Sequence, residues 1–219
     1  MPVRELWRYP VKSLGGERVQ SARMLLRGLE GDRTHGLLGA SGQVTAREVP
    51  GLLRYSARWA ADEPPHVLAP DGSGHRWGDG ALMASLAAVA GPCRPYTVPA
   101  GMYDAWPVLL LGTGSVAALG ERLGRPLDIR RFRPTVVCAL REPFAEDDWI
   151  GRIVVVGDAI VRVVERCERT VVVTFDPDTA EPDPEVLELI RVERDGCLGV
   201  YCEVLTPGRV AEGSGVNAG

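Results

Sequence analysis

The stretch Ile150–Thr179, IGRIVVVGDAIVRVVERCERTVVVTFDPDT, decides the fold class. Valine and isoleucine crowd it, and branched side chains fit a pleated backbone better than a helix. Gly157-Asp158 interrupts the run where a two-residue hairpin turn belongs. The stretch therefore predicts three strands: one before Gly157, one reaching Glu168, and a buried third over VVVTF that ends in the polar DPDT turn.

The same pattern continues outward. Val3–Pro10 predicts a first short strand and Val19–Leu26 a second. THGLLGASGQVTARE reads as a hairpin with Ser41-Gly42 at its tip. LLRYSARW and HVLAPDGSGHRW, with its Asp71-Gly72 turn, add hairpin-like pieces. GALMASLAAVAG is a short alanine-rich helix closed by Gly91. PCRPYTVPAG reads as an extended bridge between two halves. PVLLLGTGSVAALGERLG reads strand, glycine-bearing turn and helix, with Gly124 as the stop. DIRRFRPTVVCAL is a strand with a basic entrance, where Pro134 restricts Arg133 to an extended backbone. The tail from Cys197 gives one more strand and a glycine-rich end. The expected fold is mainly β, a two-part β-barrel with a few short helices, divided into residues 1–95 and 96–219.

Composition narrows the function classes. The chain has 219 residues, 45% of them hydrophobic, with 25 basic and 29 acidic side chains. That length carries a proper core, and the mild acidity gives no electrostatic reason to expect nucleic acid. Five cysteines without a compact spacing read as reduced thiols. No run approaches the roughly 18 apolar residues of a membrane helix, and MPVRELWRYPVKS alternates like a strand rather than a leader. The expectation is a soluble, cytoplasmic protein with no membrane and no nucleic-acid partner.

Several motifs carry candidate chemistry. Lys12 and Ser13 end YPVKS, where a compact ammonium suits a phosphate or carboxylate, or simply meets water. Arg33 (GLEGDR) and Arg47 (TAREVP) offer planar forks for anionic oxygens, and Arg33 could equally pair with Asp32 or Glu48. Gly112–Ser115 stands between a strand and a helix start, where free N–H groups attract anions and Thr113 or Ser115 would cap. Arg130, Arg131 and Arg133 line either a solvated edge or a pocket mouth. Glu146 in EDDW reads as one of several solvated loop acids, with general-base work conceivable. Cys197 and Cys202 read as core or edge thiols, and His35, His66 and His75 lack ligand spacing.

The order of YPVKS, GLEGDR, TARE, PVLLLGTGSV, FRPTVV, EDDWIG…VGD and RCERTVVVTFDPDT along the chain resembles the MOSC family, the molybdenum-cofactor sulfurase C-terminal-like proteins, with its N-terminal β-barrel companion. Within that family the chain looks most like bacterial relatives of the mitochondrial amidoxime-reducing component. The resemblance implies a molybdenum cofactor (molybdopterin) held between the halves, and oxidoreductase chemistry on N-oxygenated compounds or the sulfur transfer of sulfurase-type members. It implies that Lys12, Ser13 and Arg33 face the phosphate side and that Thr45 and Arg47 lie near the cofactor. Ser115 would meet phosphate or pterin, and Arg133 and Thr135 would take the FRPN positions, with Thr135 replacing asparagine. Arg169 would steady the pterin. A reductase would act on a small-molecule substrate and need a separate electron-donor protein, since the chain ends at Gly219 with no iron–sulfur domain.

The family's reductase pattern is C-x-R-C, its second cysteine binding the metal. Here Cys167 and Arg169 match, but Thr170 stands at the ligand position. A hydroxyl does not ionise usefully at neutral pH, and such a metal centre favours thiolate. Cys167 and Thr170 remain the candidate catalytic residues, with Cys167 the nearby thiol for a metal or a persulfide. Three residues of unbroken strand would point the two side chains to opposite faces, and a turn or bulge would undo that. A sulfur-carrier or cofactor-binding protein, and a metal-free enzyme reusing the anion pocket, stand beside the reductase.

Overall fold

The computed structural model, which describes all 219 residues, has one large sheet and three small ones. The large sheet runs Val216–Ala218, Ile153–Val156, Ala159–Glu168, Cys197–Thr206, Val108–Gly112, Val136–Cys138, Val3–Arg8, Glu17–Arg18, and it curls into a half-barrel. The Gly157-Asp158 turn joins two antiparallel strands of it, with Val156 opposite Ala159. Only Val108–Gly112 and Val136–Cys138 run parallel, and such a pair needs a crossover connection. Helix α2 (Thr113–Leu123), stopped by Gly124 in the left-handed region, lies within that connection.

Val108–Gly112 is buried at every position because it faces two cores. Val108 and Leu110 join a 21-residue core on one side, rich in valine from the neighbouring strands. Leu111 joins a 9-residue core on the other, with Val116 and Leu119 of α2 and Val186, Leu187 and Ile190 of α3 (Pro184–Arg194). A sheet covered on both faces reads as a continuous apolar run rather than an alternation, which is what VLLLG shows.

Two of the small sheets, Cys93–Thr97/His35–Gly39/Gly42–Val44 and Ser56–Arg58/His66–Leu68/Gly74–Arg76, surround a separate 11-residue core. Helix α1 (Gly80–Ala90) contributes Leu82 and Leu86 to it. The third small sheet pairs Ser21–Leu25 with Gly208–Ala211. Together with Val3–Arg8 against Val136–Cys138, it ties the first residues of the chain to the last. A large cavity is lined from both parts.

Three local expectations are corrected, and one helix is added. The third strand of the opening stretch is a 3-10 turn, Val171–Thr174, because Val173 turns into the α2–α3 core and the Thr174 hydroxyl donates to the Val171 carbonyl. Tertiary packing overrides the β preference of the valines there. Pro92–Gly101 is no free bridge, since Cys93–Thr97 pairs with the His35–Gly39 strand. Arg133 is not extended before Pro134: it sits at φ 49°, ψ 48°, closing the 3-10 turn Ile129–Phe132 through its N–H to the Arg130 carbonyl. Helix α3 was not placed from the sequence, although Pro184 at its first turn and Asp195-Gly196 at its end are ordinary boundary signals.

Candidate functional site

The cavity has a volume of about 880 Å³. It gathers ten of the eleven expected site residues: Lys12, Ser13, Arg33, Thr45, Arg47, Arg133, Thr135, Cys167, Arg169 and Thr170. Ser13, Arg33, Arg133 and Asp195 in its wall all have positive φ without being glycine, and only Phe144 and Ala180 share that property elsewhere. Such conformations are costly and persist where the surroundings over-determine them, often at binding sites.

Tyr9 supports the basic wall. It is 2% exposed, its N–H donates to Asp32 Oδ1 at 2.7 Å, and its ring lies under two guanidinium groups, Arg133 at 4.2 Å and Arg33 at 4.9 Å. Asp32, itself buried, pairs with Arg33, whose Nη2 also donates to the Arg133 carbonyl at 3.3 Å. Burial works most strongly against the charge on Arg33, but Asp32 together with Tyr103 and Tyr9 outweighs it, so this guanidinium holds its proton more firmly than usual. Arg133 has no carboxylate partner. Its Nη1 donates to the Leu14 carbonyl at 2.7 Å and its buried Nη2 donates to nothing in the protein. Burial pulls its pKa down to about 10, with Tyr9 and then the nearby Arg33 as smaller influences. Arg133 also lines a second cavity of about 480 Å³.

Lys12 and Arg47 meet one acid, Asp104, on a segment that runs Met102–Pro107 along the cavity. Burial pushes the Asp104 carboxyl up, but the Lys12 ammonium and then the Arg47 and Arg33 guanidiniums outweigh it, leaving it below the usual range. Thr45 turns its hydroxyl to Glu48 and accepts the Arg47 N–H, fixing the turn that presents Arg47.

The remaining expected residues divide. Thr135 is fully buried in the cavity wall, where its hydroxyl accepts the Leu109 N–H at 3.2 Å. Arg169 donates through Nε and Nη2 to the Leu198 carbonyl and through Nη1 to Phe132 O at 2.9 Å. It braces the end of the Ala159–Glu168 strand. Cys167 and Thr170 line the same cavity because the chain leaves the strand between them, Thr170 starting the 3-10 turn. Cys167 is only 1% exposed, and its thiol donates to Glu168 O at 3.6 Å.

Ser115 does not reach the cavity. It is fully buried, and its hydroxyl contacts both Glu146 oxygens, at 2.7 and 2.8 Å, while accepting the Phe144 N–H. The Gly112 N–H donates to the same carboxylate at 3.1 Å. The glycine turn at the start of α2 does meet an anion, but that anion is the protein's own. Glu146 is accordingly no solvated loop acid: it is 0% exposed, and burial pushes its carboxyl up against the pull of Ser115.

Sequence reasoning missed Asp104, Tyr201 and Cys197 as cavity residues, and Tyr9 as the support beneath Arg33 and Arg133. Cys197, half-buried, lines the cavity with Cys167, and the C-x4-C spacing hid this because Cys202 alone faces the core. Nothing in MYDAWP marks Asp104. All five cysteines are free, and no group of three or more His, Cys, Asp or Glu side chains is placed to hold a metal ion. No helix is long and apolar enough to cross a membrane.

Comparison with known proteins agrees with this architecture. Residues 90–217 match the MOSC domain and residues 1–77 the MOSC N-terminal beta barrel domain. The chain is 29% identical to mitochondrial amidoxime-reducing component 1 of Mus musculus over 88% of its own length and 71% of that protein's. It is 25% identical to mitochondrial amidoxime reducing component 2 of Bos taurus over 88% and 72%. A shorter match, 40% identical, to component 1 of Xenopus laevis spans 35% of this chain and 22% of that one. The YUAD protein of Bacillus subtilis shares the fold at a TM-score of 0.52 and 11% identity, covering 98% of this chain and 93% of that one. The chain belongs to the MOSC domain family.

Proposed function

We propose that this chain binds a molybdopterin-type cofactor in the large cavity and is an oxidoreductase acting on N-oxygenated small molecules. The observation that carries this reading is the convergence of Lys12, Arg33, Arg47 and Arg133 on one cavity, with the buried Nη2 of Arg133 unpartnered. A guanidinium free on one edge suits an anionic oxygen, and charge-assisted bonds of that kind are the strong ones. The names of the amidoxime-reducing relatives support the substrate class.

The anion-holding half of the site fits such a cofactor; the metal-holding half does not. Thr170 supplies a hydroxyl where the family pattern supplies thiolate, and soft sulfur is what this metal selects. What the chain's own residues do is neutralise a phosphate with Arg133, Lys12 and Arg47. Arg33 is held flat on Tyr9, and Arg169 braces the wall. The electron donor is a separate protein, the setting is cytoplasmic, and the two halves divide at residues 95 and 96.

Thr170 also favours a second reading: a MOSC-fold sulfur carrier or cofactor-binding protein with Cys167 bearing the sulfur, or a metal-free enzyme on the same anion pocket. Elemental analysis of protein made in a cofactor-competent host separates these. Molybdenum in the purified protein, even well below one per chain, that vanishes in Cys167→Ala supports the oxidoreductase. Persulfide on Cys167 without metal supports the carrier. Metal-free protein that turns over a phosphate- or carboxylate-bearing compound supports the third.

A further inference from the structure

Lys12 is the only lysine among the 25 basic residues of the chain. Its ammonium lies 2.7 Å from Asp104 Oδ1, and the other Asp104 oxygen meets Arg47 Nη2 at 2.5 Å. One carboxylate thus bridges the two cavity cations that have no other acid within reach, as a phosphate would. Yet Asp104 is 47% exposed at its side chain and Arg47 40%, so solvent screens the pairing. The segment carrying Asp104 is anchored independently on both sides. Tyr103 donates its hydroxyl to the Arg27 and Asp32 carbonyls at 2.8 and 3.1 Å, and Trp106 donates Nε1 to Glu165 at 3.1 Å. The carboxylate can leave its partners by rotating its own side chain, without the segment unfolding.

We propose that Asp104 is a built-in competitor that sets the charge requirement of the cavity. A ligand gains Lys12 and Arg47 only by displacing a carboxylate, so a monoanion exchanges like for like while a phosphate dianion prevails. Asp104 thereby imposes one displacement cost on every anion, which a phosphate dianion outweighs and a carboxylate monoanion only matches, and when no ligand is bound it offsets one of the two converging positive charges. The proposal rests on the reading of the cavity as an anion site.

The test uses Asp104→Asn in the full chain, with inorganic phosphate and acetate as probes. Reductive methylation with ¹³C-formaldehyde labels Lys12 and the α-amine alone, giving a reporter that needs no ligand. The ligand-free Lys12 signal should move in Asp104→Asn, and phosphate should bind about five-fold tighter at low salt, the order expected for removing a screened carboxylate from two exposed ion pairs. Acetate should gain by about the same factor, because both anions are spared the same displacement. An unmoved Lys12 signal would overturn the pairing itself. A moved signal with phosphate bound no tighter, or more weakly, would make Asp104 a scaffold residue and overturn the proposal. A moved signal with no anion bound by either protein would overturn the anion reading, and the competing role with it, while leaving the ion pair standing. Asp104→Ala repeats the measurement without an amide in place of the carboxylate.

Discussion

Glu146 and Asp104 are both carboxylates set among donors, at opposite extremes of solvent access. Glu146 is 0% exposed and contacts the Ser115 hydroxyl and the Gly112 N–H at the start of α2. Asp104 is half-exposed and contacts two cationic heads, Lys12 and Arg47. Removing a partner from the first leaves buried donors with nothing to replace it, which is costly; removing it from the second lets water in, which costs little. An anion site filled by the protein is architecture, and an anion site only loosely filled is available to a ligand. The difference lies in burial, since both pairings have good geometry.

Glu146→Ala is the strongest way to break that contrast. It should destabilise the fold by about 3 kcal/mol, since two buried donors lose their acceptor, a fall in Tm of roughly 6–12 °C for a chain of this size. Phosphate affinity should be unchanged. A loss below about 1 kcal/mol would mean that the buried carboxylate does not hold the α2 start.

Arg133→Met should do the reverse. A guanidinium whose pKa burial pulls down to about 10 is destabilising while charged. Below pH 10 both states are protonated, and the folded state bears the desolvation cost. As pH rises through about 10 the folded state sheds its proton before the unfolded one, so that cost is lifted and this group's contribution to stability rises with pH. The variant should therefore keep or raise Tm at pH 7, by up to about 2 kcal/mol in stability, and lose roughly ten-fold or more in phosphate affinity. A marked loss of stability with phosphate affinity intact would place Arg133 in the scaffold.

Thr170→Cys sharpens the contrast between the two halves of the cavity. Restoring a thiol at the ligand position should raise molybdenum retention in a cofactor-competent host, with phosphate affinity unmoved; unchanged metal content would count against a degraded ligand site. The smallest effect is expected from nicking the chain within 98–101. The two pieces should stay together, because Ser21–Leu25 pairs with Gly208–Ala211 and Val3–Arg8 with Val136–Cys138. Fragments that separate on a sizing column would contradict it.

Much of this was legible in the sequence. Alternation and turn residues located the hairpins at Ser41-Gly42, Asp71-Gly72 and Gly157-Asp158, because those signals are local. The cationic residues were legible through their order along the chain. What escaped was decided by contacts distant in sequence. Val171–Thr174 abandons the strand because Val173 is wanted in a core built by two helices. Ser115 is turned away from the cavity by Glu146, thirty-one residues on. Asp104 acquires its role only when Lys12, ninety-two residues earlier, folds beside it. Arg169, expected to steady the pterin, is tied to two carbonyls that no local pattern announces.

The most direct test is the phosphorus and molybdenum content of the protein purified from a host that makes molybdopterin. The account predicts about one organic phosphate per chain, lost in Arg133→Met, with molybdenum well below that ratio until Thr170 is replaced by cysteine. Wild-type protein free of phosphorus, with no affinity for inorganic phosphate at low salt, would contradict it.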